Sequence, residues 1–337
     1  MAGLWLAPPP GRPAPSGEPI IATTAVAAPG RRPPSRPARR RAAPMSVRGT
    51  GVALRDRAAE IGGTSLHWVE AGRGPTLLLL HGLGDTADTW RRVLPELARH
   101  HRVVAVDLPG CGTSGPVTGH PVLPWLLDVL SELLDGVAPG RKVSVIGNSV
   151  GGSLALRLAL HHPRRTERVV LVDPAGAGRD VPVWWKAVKF QRAVRLVLGP
   201  FLALLPESVL EEIVAQCYMR MAFHRPDRVD AAAAHNYARY LRTHGDIDDF
   251  LERADEVVHG LMSGLGRDPG SLRVPVLIVW GADDRLAPVR DAHVLLQRLP
   301  RAELRVIENC GHMPQMERPR EFLQAVEPYL LQARRRG

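Results

Sequence analysis

The stretch 145–156, Val-Ile-Gly147-Asn148-Ser149-Val150-Gly151-Gly152-Ser153-Leu-Ala-Leu, decides the fold. A strand-like apolar run enters it and a helix-like run leaves it. Between them stands one serine, with glycine two residues to either side. A strand that turns sharply into a helix needs positions without side chains where the two elements nearly touch. Gly147-x-Ser149-x-Gly151 in that setting has the form of a nucleophile elbow. Such a turn holds its serine in a strained conformation, hydroxyl outward, over a helix N-terminus that favours developing negative charge. The same letters also describe a glycine-rich turn with an incidental serine, so the neighbouring segments must choose.

Working outward, 58–61 and 65–69 read as two short strands joined at Gly62-Gly63. Residues 76–80 form a continuous apolar run, expected of a strand buried on both faces. A helix is predicted over 87–99, a strand over 102–106 and a helix over 125–134. The strand 143–146 feeds the quoted turn, followed by a helix over 153–160 that His161-His162-Pro163 closes, and a sixth strand over 169–172. Strands at 276–279 and 304–307, each followed by a helical segment, complete the set. This alternation predicts an α/β fold: a mostly parallel, eight-stranded sheet with helices on both faces. Between the sixth and seventh strands lies a helical, Leu-, Val- and Ala-rich segment, 178–272. It emerges at the carboxyl ends of the strands, where open α/β sheets bind ligands, and reads as a cap. The expected organisation is a tail (1–48), a core in two parts (53–177 and 273–333) and the cap between them.

The net charge of +10 is concentrated at the ends of the 337-residue chain. Residues 1–48 hold eight arginines, no lysine and one glutamate, and Arg334 to Arg336 lie at the other end. The body between them is close to neutral, which argues against a nucleic-acid groove on the folded surface. Residues 1–44 carry 11 of the 31 prolines and no apolar periodicity, and are expected to be disordered. Met45 offers an alternative start. Cys111, Cys217 and Cys310 are odd in number and far apart, which points to neither a disulfide framework nor a zinc site and suggests a cytoplasmic setting. No apolar run reaches the roughly 18–20 residues of a membrane span. No metal or cofactor is expected, and the partner implied is a small-molecule substrate.

A serine nucleophile needs a base, an acid to orient it and donors for the oxyanion. His81-Gly82-Leu83-Gly84 follows the apolar strand 76–80, so its turn can aim the Leu83 amide where the Val150 amide also points. His81 itself reads as a structural hydrogen-bonding residue. Among the 13 histidines, His312 follows a predicted strand and a glycine, which suits a base on a loop at the carboxyl edge. Asp283 and Asp284 stand just beyond a buried strand, and Asp173 ends another, so three carboxylates compete for the acid. Trp184, Trp185, Phe190, Met219, Met221 and Tyr237, all in the expected cap, are candidate substrate contacts.

HGLG, VDLPGCGTSG, GNSVGG, WGADDRLAP and GHMPQMERP, in that order across about 53–333, resemble the landmarks of the α/β-hydrolase superfamily. The resemblance implies a Ser149, Asp284, His312 triad, since the family's WGxxD pattern places the acid at Asp284 and its GH places the base at His312. It implies ester hydrolysis of a moderately apolar small molecule through an acyl-enzyme. GNSVGG is also similar to the elbow of hydrolases that cut carbon–carbon bonds in aromatic ring-cleavage products. Those usually carry Gly-Pro-Gly after the first motif and Trp after the histidine, where this chain has Asp85 to Ala87 and Met313. Epoxide hydrolases and haloalkane dehalogenases of the superfamily use an aspartate where Ser149 stands. A third alternative is a non-catalytic small-molecule binder on the same fold.

Overall fold

The computed structural model describes residues 52–178, 205–230, 237, 238 and 243–332. Eight strands form one sheet: β1 (Leu54–Ile61), β2 (Thr64–Ala71), β3 (Thr76–Leu80), β4 (Arg102–Asp107), β5 (Val143–Asn148), β6 (Thr166–Val172), β7 (Val276–Gly281) and β8 (Ala302–Ile307). They lie in the order β1-β2-β4-β3-β5-β6-β7-β8. The β1–β2 and β2–β4 pairs are antiparallel and the other five pairs are parallel. From β3 the chain crosses first to β4 on one side and then to β5 on the other. The order therefore reverses between β3 and β5, and their carboxyl ends flank the crevice where such sheets place ligands.

The uninterrupted apolar strands have a direct explanation in the core. Leu78, Leu80, Val104, Val106, Val145 and Ile278 pack on one face, against helices α2 (Val122–Val137) and α3 (Val150–His161). Leu77, Leu79, Val103, Ala105, Ile146 and Val279 pack on the other, with Trp90, Leu94, Phe322 and Val326. Leu77 to Leu80 are all fully buried. Burying a leucine stabilises by about 1.5–3 kcal/mol, so both faces of this strand contribute to the fold.

Several boundaries differ from the sequence expectation. The segment 87–99 is not one helix but a 3-10 turn (Ala87–Trp90) followed by the short helix α1 (Leu94–Leu97). Pro95 is the cause: it has no N–H, and its ring would strike the carbonyl four residues back. β1 begins at Leu54, earlier than read, because most of this edge strand is exposed and carries no apolar alternation. α2 runs from Val122 to Val137, and nine of its residues are buried.

Within the expected cap, the described residues form helices α4 (Glu207–Ala222) and α5 (His244–Met262). Thr243 and Asp246 close a capping box at the start of α5. Beyond β7 lie α6 (Arg290–Arg298), α7 (Pro314–Glu317) and α8 (Pro319–Gln332). Among the described residues no helix is long and apolar enough to cross a membrane.

Candidate active site

Ser149 joins β5 to α3 with φ 55° and ψ −119°, a positive φ that L side chains rarely adopt. The surrounding glycines explain how the chain reaches it. A Cβ on Gly147 would stand 2.1 Å from the Gly151 carbonyl oxygen, and one on Gly151 would stand 2.3 Å from the Leu80 oxygen. Backbone closes on backbone at both positions, so no other residue fits. The Ser149 amide donates to Val172 O at 2.9 Å, which ties the turn to the end of β6.

The loop after β3 lies beside this turn because β3 and β5 pair in parallel, with Leu80 opposite Gly147. A Cβ on Gly82 would be 3.2 Å from the Ser149 Cβ. His81 is fully buried and has backbone partners at both ring nitrogens. The Leu108 N–H donates to Nε2 at 2.8 Å, and Nδ1 lies 2.7 Å from the Gly82 carbonyl oxygen. Nε2 must then be the acceptor and Nδ1 carry the proton. Burial holds the His81 pKa below its ordinary value, consistent with this neutral ring. His81 therefore shapes the turn. Among the described residues, neither the Leu83 nor the Val150 amide donates a hydrogen bond to a protein acceptor. The Val150 side chain is buried in the core.

His312 follows β8 and Gly311, and its Nδ1 is 2.6 Å from Asp284 Oδ2. Asp284 Oδ1 accepts the Leu286 and Ala287 N–H groups at 2.7 and 2.9 Å. Both oxygens of this buried carboxylate thus have a partner among the described residues. Asp283, in contrast, stands 3.5 Å from Nδ1 of His224. Asp173 is fully buried, accepts the Gly281 N–H at 2.9 Å, and sits with Asp284 and His312 in a group whose polar atoms lie within 4.8 Å of one another. Burial first, and the Asp284 charge second, hold the Asp173 carboxyl well above the usual range. This favours its protonated form, which can donate to Asp284.

Ser149 and His312 line one cavity of about 610 Å³ between core and cap. The Ser149 hydroxyl makes no hydrogen bond to a described residue; catalytic contacts of this type commonly tighten only when substrate binds. Of the candidate substrate contacts, Tyr237 and Met221 line the cavity and Met219 does not. On α4 the positions 214, 217, 218 and 221 share the face toward the cavity. Met219 points instead into a buried cluster with Phe223, Met313 and Met316. Trp184, Trp185 and Phe190 lie outside the described residues.

Two residues escaped the sequence reading. Asn148 donates from Nδ2 to Val172 O at 3.2 Å and to His312 O at 3.0 Å, linking the serine turn to the histidine loop. Glu317 is buried and accepts N–H groups from Gly311 (2.7 Å), His224 (3.1 Å) and Arg225 (2.6 Å). It fastens the histidine loop to the end of α4, and the His312 N–H adds a bond to Ala222 O at 2.8 Å. Position relative to the motifs was the only sequence signal for either: Asn148 adjoins the serine, and Glu317 is five residues past the histidine.

Comparison with known proteins identifies the fold family. A family model described as alpha/beta hydrolase fold matches residues 75–319. An uncharacterized protein of Mycobacterium tuberculosis (strain ATCC 25618 / H37Rv) is 28% identical over 275 residues, 77% of this chain and 76% of that protein. The 2-hydroxy-6-oxo-6-(2'-aminophenyl)hexa-2,4-dienoic acid hydrolase of Metapseudomonas resinovorans is 27% identical over 285 residues, covering 82% of this chain and 90% of the relative. Among solved structures, a membrane phospholipase A described as a bacterial virulence factor aligns with a TM-score of 0.67 and 26% identity, over 86% of this chain and 89% of the other.

Proposed function

The chain belongs to the alpha/beta hydrolase fold family, and on that premise we propose that it hydrolyses esters of moderately apolar small molecules through an acyl-enzyme. Ser149 is the nucleophile, His312 the general base and then acid, and Asp284 the carboxylate that fixes the His312 tautomer and stabilises the imidazolium. His312 Nε2 takes the serine proton as Oγ attacks the carbonyl carbon. The Leu83 and Val150 amides hold the oxyanion, a donor pair whose members are each typically worth about 3–4 kcal/mol in the transition state. His312 returns the proton to the leaving alcohol, then activates water to release the acid.

The observation that carries this reading is the strained Ser149 facing the same cavity as a His312 whose far nitrogen is bonded to a fully partnered Asp284. The ester preference has separate support. The cavity lining is mostly apolar, and among the described lining residues there is no Lys or Arg to pair with a carboxylate. Asp85 and Asp291 line it instead. The Metapseudomonas relative acts, by its name, on a dienoic acid. That relative and the GNSVGG elbow favour carbon–carbon bond hydrolysis as a second reading.

Short p-nitrophenyl esters test the proposal. The wild type should turn them over and take a fluorophosphonate label at Ser149, while Ser149→Ala should lose both with its melting temperature retained. Activity persisting in Ser149→Ala overturns the assignment. Labelling without turnover points to a binder, and faster cleavage of a ring-cleavage dienoate than of any ester points to the second reading.

A further inference from the structure

The cavity has a second polar end. Asp85 lies two residues beyond Leu83 and lines the same cavity as Ser149, yet the residue is only 9% exposed. Its Oδ1 accepts the Thr86 N–H at 2.8 Å. Its Oδ2 is buried and makes no hydrogen bond of good geometry among the described residues, with the Thr89 and Tyr218 hydroxyls in looser reach of the carboxyl. A buried carboxylate oxygen left in this way is costly to the fold unless water or a ligand completes it. Capping of the turn Ala87–Trp90 does not require it, because the Thr86 hydroxyl already accepts the Asp88 N–H.

Two phenols accompany the carboxyl. Tyr218 and Tyr237 stack with ring centroids 3.9 Å apart and planes 9° from parallel, and both line the cavity. The Tyr237 hydroxyl reaches the turn itself, since a Cβ on Gly84 would lie 3.3 Å from it. Burial and then the Asp85 charge push both phenols up, so they remain protonated. Burial also raises Asp85 to about 6, which leaves it largely ionised at neutral pH. Arg91, the neighbouring cation, is paired with Asp88.

We propose that Asp85, flanked by Tyr218 and Tyr237, is a specificity site for a hydrogen-bond donor carried by the substrate, a hydroxyl or protonated amine a few bonds from the scissile carbonyl. The inference rests on the ester reading above and narrows it. A donor there completes Oδ2, whereas a carboxylate meets like charge. Hydrogen bonds to an ionised oxygen are the strong kind, so the group discriminates between substrates of nearly identical shape.

The test uses the full chain and pairs of esters that differ by one group. Ethyl 3-hydroxybutyrate and ethyl 3-aminobutyrate are compared with ethyl 3-methylbutyrate, and 2-hydroxyethyl butyrate with propyl butyrate, by titrating released acid. In the wild type, kcat/KM for at least one donor ester should exceed that of its methyl counterpart by tenfold or more. The hydroxyl and amine arms identify which donor is preferred. In Asp85→Ala that ratio should fall to within twofold of one. Asp85→Asn, which keeps the shape, should lose any preference for the amine and keeps the test available if the alanine variant does not fold. Equal turnover of both pair members by the wild type, or an unchanged ratio in Asp85→Ala, overturns the specificity site and leaves the ester reading standing. No hydrolysis of any ester by the wild type overturns both.

Discussion

Replacing Asp284 by Asn separates charge from shape at the most constrained point of the site. The carboxylate has two jobs in fixed directions: Oδ1 accepts two backbone N–H groups, and Oδ2 accepts the His312 Nδ1–H. In the amide only the oxygen can face the two N–H donors, so the NH2 must face His312. Turning the amide over would set its NH2 against both donors and leave the buried Ala287 N–H and the partly buried Leu286 N–H unsatisfied, at up to about 1–3 kcal/mol each. The NH2 then donates to Nδ1, and the imidazole proton moves to Nε2, where it blocks acceptance of the Ser149 proton. A change that keeps geometry and reverses the tautomer lowers kcat by about 10⁴, equivalent to about 5.4 kcal/mol.

Asp173 makes the experiment sharper. Its pKa is raised by burial and by the Asp284 charge, so removing that charge eases its ionisation. Any residual activity of Asp284→Asn should therefore increase with pH and vanish in the Asp173→Asn, Asp284→Asn double variant. The assay is kcat/KM on p-nitrophenyl butyrate from pH 6 to 9, with melting temperatures alongside. A loss smaller than about thirtyfold in Asp284→Asn would refute the tautomer argument. A 10⁴-fold loss in Asp173→Asn alone would transfer the acid's role to Asp173.

Two further predictions concern the turn and the cavity. Gly151→Ala sets a Cβ against the Leu80 and His81 carbonyl oxygens, at 2.3 and 2.5 Å in the present backbone. The elbow must shift, so both melting temperature and esterase activity should fall; wild-type values would show that the close approach is dispensable. Asp85 has a folded pKa of about 6 against an ordinary 3.8, so its fold contribution is fully present below about pH 4 and is lost as pH rises through about 6. At pH 7 this amounts to about 3 kcal/mol, and Asp85→Asn should raise urea-unfolding stability by that order there and by little at pH 4. An equal gain at both pH values would rule out the charge as the cause.

The fold was legible because its central strands are apolar runs and its turns are glycine motifs, both local properties of the chain. Ser149 was legible for the same reason: the clash that demands glycine at 147 and 151 leaves a pattern in five consecutive letters. The 3-10 turn and short helix over 87–97 were less visible, since apolar spacing alone continued past Pro95. Met219 could not be told from Met221 by composition, because a helix sends residues two apart to different sides and only the packing of α4 says which side meets the cavity.

The sequence by itself determined the alternation of strands and helices, the elbow, and three carboxylates able to serve one histidine. Tertiary structure alone brought Asp284 to 2.6 Å from His312, gathered Asp173 beside them, and left one buried oxygen of Asp85 without a well-formed hydrogen bond among the described residues. The division has a physical cause. Turn and strand preferences are set by neighbours along the chain, whereas hydrogen bonds, burial and charge coupling depend on groups that the sheet brings together from distant positions.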